Sequence, residues 1–258
     1  MPQKAMDAAP NPPVPNWLRE QTGLGAAAGT AAKRRWHKLE VMAAIETRLL
    51  ILGAVMMFEP VNGYQVLREL RSWDIEEWAK IKPGSIYSVL RTLTKNGSVI
   101  RHEVDEGART VSVYVTTAQG RAEFHRLFSE ALREPDAMAP IPAHTAWLLL
   151  LLVTREDFLS SLDERIRRSE KLIEESEQQL AAGIDAPEHI IEVARMWHAK
   201  ATLELEWSKS MADRIRAGEF AFAGEPLTWQ PPPNDPGWQM MEDQQRYRSI
   251  LGLDETVR

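Results

Sequence analysis

Between Ile81 and Gly97 the chain packs a helix start, one apolar face and a helix stop into a single segment, Ile-Lys-Pro-Gly-Ser-Ile-Tyr-Ser-Val-Leu-Arg-Thr-Leu-Thr-Lys-Asn-Gly. Pro83 suits the first helical turn, where its missing N–H is no loss, and Gly97 suits the left-handed residue that ends a helix. Ile86, Val89, Leu90 and Leu93 recur at helical spacing, which predicts one face turned to a core. Ser85, Tyr87, Ser88, Arg91, Thr92 and Lys95 then form the outer face, hydroxyls and cations without a carboxylate. Such a surface matches phosphate oxygens and base edges.

The flanking residues give this helix a setting. From about Lys33 to Phe58 no proline interrupts a helical spacing of Leu39, Met42, Ile45, Leu49 and Leu52, with Gly53 or the Thr47 region as a place where the helix divides. Pro60 stops it, and Asn62 is a good N-cap for a second helix to about Trp73, with Val66, Leu67 and Leu70 buried. Asp74 to Lys82 reads as a connection. After Gly97 the period switches to alternation. Val99 and then Val111, Val113 and Val115, separated by Asp105-Glu106-Gly107, predict a β-hairpin. A fourth helix starts at Thr116 or Thr117, with Thr116 and Gln119 as a capping box, and runs through Phe124, Leu127, Phe128 and Leu132 to Pro135. Helix, helix, helix, hairpin, helix is the winged helix-turn-helix order, in which the third helix enters the major groove.

The second half reads as helical. Thr154 with Asp157 caps a helix through Phe158, Leu162, Ile166, Ile173 and Leu180 to Gly183, and Asp185 with Glu188 caps another carrying Ile190, Ala194, Trp197, Ala201, Ser208, Ala212 and Ile215 to Gly218. Stripes of that length on an antiparallel pair leave an apolar face for a second subunit, so a homodimer is expected. Residues 1–32, rich in Pro, Ala and Gly, read as a mobile arm, and residues 224–258, with Pro231, Pro232 and Pro233 in a row, as an extended tail. The expected division is the arm, a DNA-binding domain over 33–134, a helical dimerisation and effector domain over 135–223, and the tail. The fold class is mainly α with a small β-hairpin wing.

Composition narrows the chemistry. The 258 residues include no cysteine, which removes disulfides, thiolate metal sites and cysteine nucleophiles. The longest apolar runs, Leu49 to Phe58 and Ala146 to Val153, fall short of the ~20 residues that span a bilayer, and Met1 to Trp17 does not resemble a secretory signal. A soluble, cytoplasmic protein is expected. The net charge of −6 is uneven: Lys33 to Glu134 holds 16 Lys+Arg against 13 Asp+Glu, whereas Pro135 to Arg258 holds 13 against 22. A mildly basic first half joined to an acidic second half suits a binding module with an attached partner module.

The residues resemble the PadR-like family of transcriptional regulators. The resemblance is carried by Ile51-Leu52-Gly53, Asn62-Gly63-Tyr64, then Pro83-Gly84-Ser85-Ile86-Tyr87-Ser88-Val89-Leu90-Arg91-Thr92-Leu93, and Tyr114 with Thr117-Ala118-Gln119-Gly120-Arg121. It covers about Thr47 to Glu134 well and the second half in general character. It implies a dimeric, usually repressing DNA-binding protein whose carboxy-terminal helices make the dimer and whose effectors are often small phenolic or drug-like molecules. Two departures stand out. Asn62 replaces a frequent histidine, and Val111, Ser112 and Val113 stand before Tyr114 where relatives tend to place Arg or Lys, leaving Arg109 near the wing tip. The arm's Lys33, Arg34 and Arg35 are candidates to compensate.

The candidate DNA-binding residues are Lys82, Ser85, Tyr87, Ser88, Arg91, Lys95 and Arg109. Tyr87 and Arg91 are the expected base readers and Lys82, Lys95 and Arg109 the phosphate contacts, while Ser85 and Ser88 serve equally well as local caps. Tyr64 is expected to pack rather than contact. Trp147, Trp197, Trp207 and Met211, with Met196, are candidates for an aromatic effector pocket, against core or interface packing as the plainer reading. No enzyme, cofactor or metal site is expected. Gly23-Leu-Gly25-Ala-Ala-Ala28 matches a dinucleotide fingerprint without a preceding strand, Glu188, His189 and Glu192 offer too few ligands, and no nucleophile elbow is present. The competing reading is a winged-helix adaptor that binds another protein without specific DNA binding.

Overall fold

The computed structural model describes residues 46–107, 109–136, 141–183, 187–227, 229–233, 235 and 237–253. The arm, its basic cluster, the glycine-rich fingerprint and the Asp185 cap lie outside them. Residues 46–58 form helix α1, unbroken across Thr47 and Gly53. Strand β1 (Val61–Asn62) leads into α2 (Gly63–Ser72), a short α3 (Ile75–Trp78) and α4 (Pro83–Lys95). Strands β2 (Val99–Glu106) and β3 (Arg109–Thr116) form the hairpin, and β1 pairs with β3 to give a three-stranded antiparallel sheet in the order β1-β3-β2. Helices α5 (Ala118–Arg133), α6 (Ile141–Leu148), α7 (Arg155–Ala182), α8 (Glu188–Arg216) and α9 (Gly237–Ile250) complete the described chain.

The caps explain the boundaries. The Asn62 side chain accepts from the Gln65 backbone N–H at 2.9 Å while the Asn62 N–H donates to the Gln65 side chain at 2.9 Å, a full capping box at the start of α2. Pro83 opens α4 within its first turn, and Gly97, at φ 75°, takes the left-handed conformation beyond its end. Thr154 caps α7 through the Asp157 N–H as the sequence predicts. Four expectations are corrected. The cap of α5 is Thr117, which accepts from Gly120, not Thr116. Helix α8 begins after Pro187 with no side-chain cap. The Asp74–Lys82 connection contains α3, whose preceding Asp74 stands at φ 54°. The presumed extended tail instead returns as α9, because Met240 and Tyr247 supply buried anchors that a scan for proline does not register.

Ile86, Leu90 and Leu93 of α4 are buried and Val89 is half-buried, as their spacing requires. They join one continuous core that runs from Leu49 through Phe124 and Phe158 to Ile215 and Met240. The hairpin divides its side chains between two partners. Tyr114 enters that main core, whereas Val104 and Val113 pack around Tyr247 of α9. Among the described residues no helix is long and apolar enough to cross a membrane.

Asn62 ties these parts together, since its Nδ2 also donates to the Tyr247 hydroxyl at 3.0 Å. Asn62→Ala is expected to cost about 1–2 kcal/mol, the loss of a cap plus one tertiary hydrogen bond. Asn62→Asp, which keeps the cap and loses the donor, should fall between the two in urea unfolding. Equal stability of the alanine variant and the parent would refute the double role.

Candidate nucleic-acid interface

The end of α4 is gripped by the first turn of α5. The Thr117 hydroxyl donates to the Gly97 carbonyl at 2.7 Å, and the Gln119 side chain donates to the Asn96 carbonyl at 2.9 Å. The Ser98 hydroxyl donates to Glu123 at 2.5 Å. Gly120 lies so close to this turn that a Cβ there would stand 1.9 Å from the Ser98 carbonyl oxygen. Arg121 pairs with Glu59, which also accepts from the Thr116 backbone at 2.5 Å. Residues 117 to 121 therefore form the clamp that sets where the third long helix of the domain points.

On its outer side α4 faces the hairpin across a groove of about 670 Å³ lined by Asn62, Gly63, Tyr64, Tyr87, Arg91, Arg101, Glu106, Arg109, Val111, Ser112 and Tyr114. Tyr87 is 39% exposed, and its ring lies on Gly63, where an added Cβ would meet Cε1 at 3.0 Å. A glycine at the first position of α2 thus lets the tyrosine ring approach that helix closely. Tyr64 is 65% exposed, which corrects the expectation that it packs inward, and it lines the same groove. Burial pushes the Tyr114 hydroxyl up, with Arg101 opposing, so it stays a protonated donor at neutral pH.

The candidates separate into groups. Tyr87, Arg91 and Arg109 meet at the groove. Lys82 and Lys95 are exposed at opposite ends of α4, about 20 Å apart at the helical rise per residue. Ser85 and Ser88 are exposed on α4 without lining the groove, and the Ser85 N–H caps back to the Lys82 carbonyl at 2.9 Å. A further cation of the wing is Arg101, on β2 directly opposite Tyr114. It donates to the Ser112 hydroxyl at 2.9 Å and pairs with Glu103 at 2.6 Å. Sequence reading looked for this charge on β3 and missed it. The pairing of Glu106 with Arg109 places 101 across from 114, so the register held the signal. Arg109, with its side chain 80% exposed, stands 3.9 Å from Glu106 at the tip.

A second cleft, about 510 Å³, lies among α6, α7 and α8 and is lined by Ala143, His144, Trp147, Arg165, Leu203, Glu204, Trp207 and Ser208. Trp147 and Trp207 meet edge to face at 4.9 Å. Arg165, nearly buried, donates to Glu204 at 2.7 Å and to the Glu134 carbonyl at 2.6 Å. Trp197 and Met211 are not among its lining residues, and Met211 is buried elsewhere on α8. Glu188 and Glu192 both pair with Arg195.

Helices α2 and α4 joined through the short α3, with a hairpin beside the second of them, define a winged helix-turn-helix domain. Residues 51–126 match the family model described as the transcriptional regulator PadR-like family. Over those residues the domain is similar to that family of transcriptional regulators. No curated protein shows significant similarity to the chain. Among solved structures, the comparison finds Bacillus subtilis PadR in complex with operator DNA, 17% identical, covering 65% of this chain and 98% of that chain with a TM-score of 0.29.

Proposed function

We propose that the protein is a cytoplasmic repressor that binds a palindromic operator as a homodimer, placing α4 of each subunit in successive major grooves ~34–36 Å apart. The observation that carries the reading is the groove between α4 and the wing, where Tyr64, Tyr87, Arg91, Arg101 and Arg109 converge with one carboxylate, Glu106. Tyr87 and Arg91 read bases. Lys82, Lys95, Arg101 and Arg109 neutralise phosphates, with Ser85 and Ser88 available at the start of α4. In this scheme the chain up to Glu134 reads DNA, and the helices over 135–223 dimerise. The cleft around Trp147 and Trp207 takes a small aromatic effector, which releases DNA only by binding better to a subunit spacing that misfits the operator.

Anisotropy titration of DNA flanking the protein's own gene, at two salt concentrations, tests this. Arg91→Ala is expected to cost ~1–3 kcal/mol and to relax sequence preference, while Lys95→Ala weakens all sequences alike and lowers the salt slope by ~1. Unchanged affinity and preference for Arg91→Ala would remove that side chain from the site. Absence of any specific shift at low salt, from a folded dimer, would point instead to a protein-binding adaptor.

A further inference from the structure

Helix α9 lies far along the chain from the hairpin yet is bonded to it beside the groove. The Tyr247 ring, fully buried, sits between Val104 of β2 and Val113 of β3, with Leu251 against the same cluster. Its hydroxyl donates to Glu106 at 2.5 Å and accepts from Asn62, so one oxygen bridges the wing tip and the cap of α2. Arg246 reaches the same Glu106 oxygen at 2.7 Å and Asp243 at 3.0 Å. Two further bonds hold the helix to the start of the domain, Gln65 to Asp243 at 2.8 Å and Gln244 to the Glu59 carbonyl at 2.7 Å. Among the described residues Glu106 is the one carboxylate lining the groove. Uncovered, it would repel phosphate at the place where Arg109 is poised to meet it.

We propose that α9 is a positioning element of the DNA interface: Tyr247 locks the wing to α2, and Arg246 offsets the Glu106 charge so that it subtracts less from the positive lining of Arg91, Arg101 and Arg109. The effect on affinity rests on the DNA-binding reading, whereas the effect on the wing does not. The arrangement makes the last helix of the described chain part of the reading head, although residues 117–236 separate it from the hairpin.

A double-mutant cycle and a DNA-free measurement test it together. Arg246→Ala is expected to weaken operator binding about three- to tenfold at low salt, the range for a half-exposed charge acting beside phosphates. In a Glu106→Gln background, which keeps the acceptor for Tyr247 and removes the charge, the same substitution should cost less than about twofold. Equal losses in both backgrounds would show that Arg246 acts on DNA alone and would overturn the charge-offsetting role. Without DNA, amide exchange of 99–106 and 109–116 should accelerate about tenfold or more in Tyr247→Ala while the amides of α4 keep their protection. Tyr247→Phe retains the ring and loses only the hydroxyl bridge, so it keeps the question open to measurement if the alanine variant misfolds. Wing exchange unchanged in the phenylalanine variant would refute the bridge, and unchanged in a folded alanine variant would refute the lock. If the parent protein binds no specific DNA, the function reading fails and the exchange result alone decides whether α9 holds the wing.

Discussion

Gly120→Ala is expected to lower the unfolding free energy by about 3 kcal/mol, the upper end of what overpacking costs. The new Cβ would lie 1.9 Å from the Ser98 carbonyl oxygen and 2.8 Å from Thr116 Cγ2, and a carbonyl held in the turn cannot rotate away. Relief requires α5 to back off from residues 96–98, which breaks the bonds from Thr117 and Gln119 that seat the end of α4. For a chain of this size the loss should appear as a fall in Tm of roughly 6–12 °C. Gly84→Ala is the matched control, because nothing lies within 4 Å of its Cβ position and the helical backbone favours alanine by up to about 1 kcal/mol. A Gly120→Ala protein with the parent's Tm would show that the turn is softer than its geometry implies.

Phe158→Ala carries the other large effect, an expected loss of about 3–5 kcal/mol. Phe158 is wholly buried, and its ring meets those of Phe128 at 5.9 Å, Trp147 at 4.8 Å and Phe222 at 5.5 Å. Those three come from α5, α6 and the segment after α8, so the cavity opens where the winged-helix region meets the carboxy-terminal helices. Because Trp147 loses its edge contact, the near-UV circular dichroism should change along with the urea midpoint. A loss under about 1 kcal/mol would mean that the neighbours collapse into the space, and Phe158→Leu should then be indistinguishable from the parent.

How far the sequence revealed these features depended on whether the signal was local. Pro83, Gly97, Asn62 and Thr154 announce their elements because capping is decided within a few residues, and all four act as their types predict. The grip of α5 on α4 was legible only as a run of residues, Thr117 to Arg121, whose separate tasks emerge when the chain folds back. Tyr64 was misjudged since an aromatic near a helix start is usually packed, whereas here Tyr87 takes the inner place on Gly63 and leaves Tyr64 outside. Arg101 and α9 were missed for a shared reason. Each gains its meaning from a partner on another strand or at the other end of the chain, and no periodicity within a window records that.

Helix α1 carries a mechanical consequence. Leu49, Leu50, Ile51, Leu52, Ala54 and Val55 are all fully enclosed, and a Cβ on Gly53 would meet both Leu149, just after α6, and Phe124 of α5. A helix apolar on every side must be surrounded by protein. The winged-helix region and the helices beyond it are thus built around one shared axle rather than joined by a hinge. Through that shared core, a movement of the carboxy-terminal helices is carried to the axle, and to the reading helix with it.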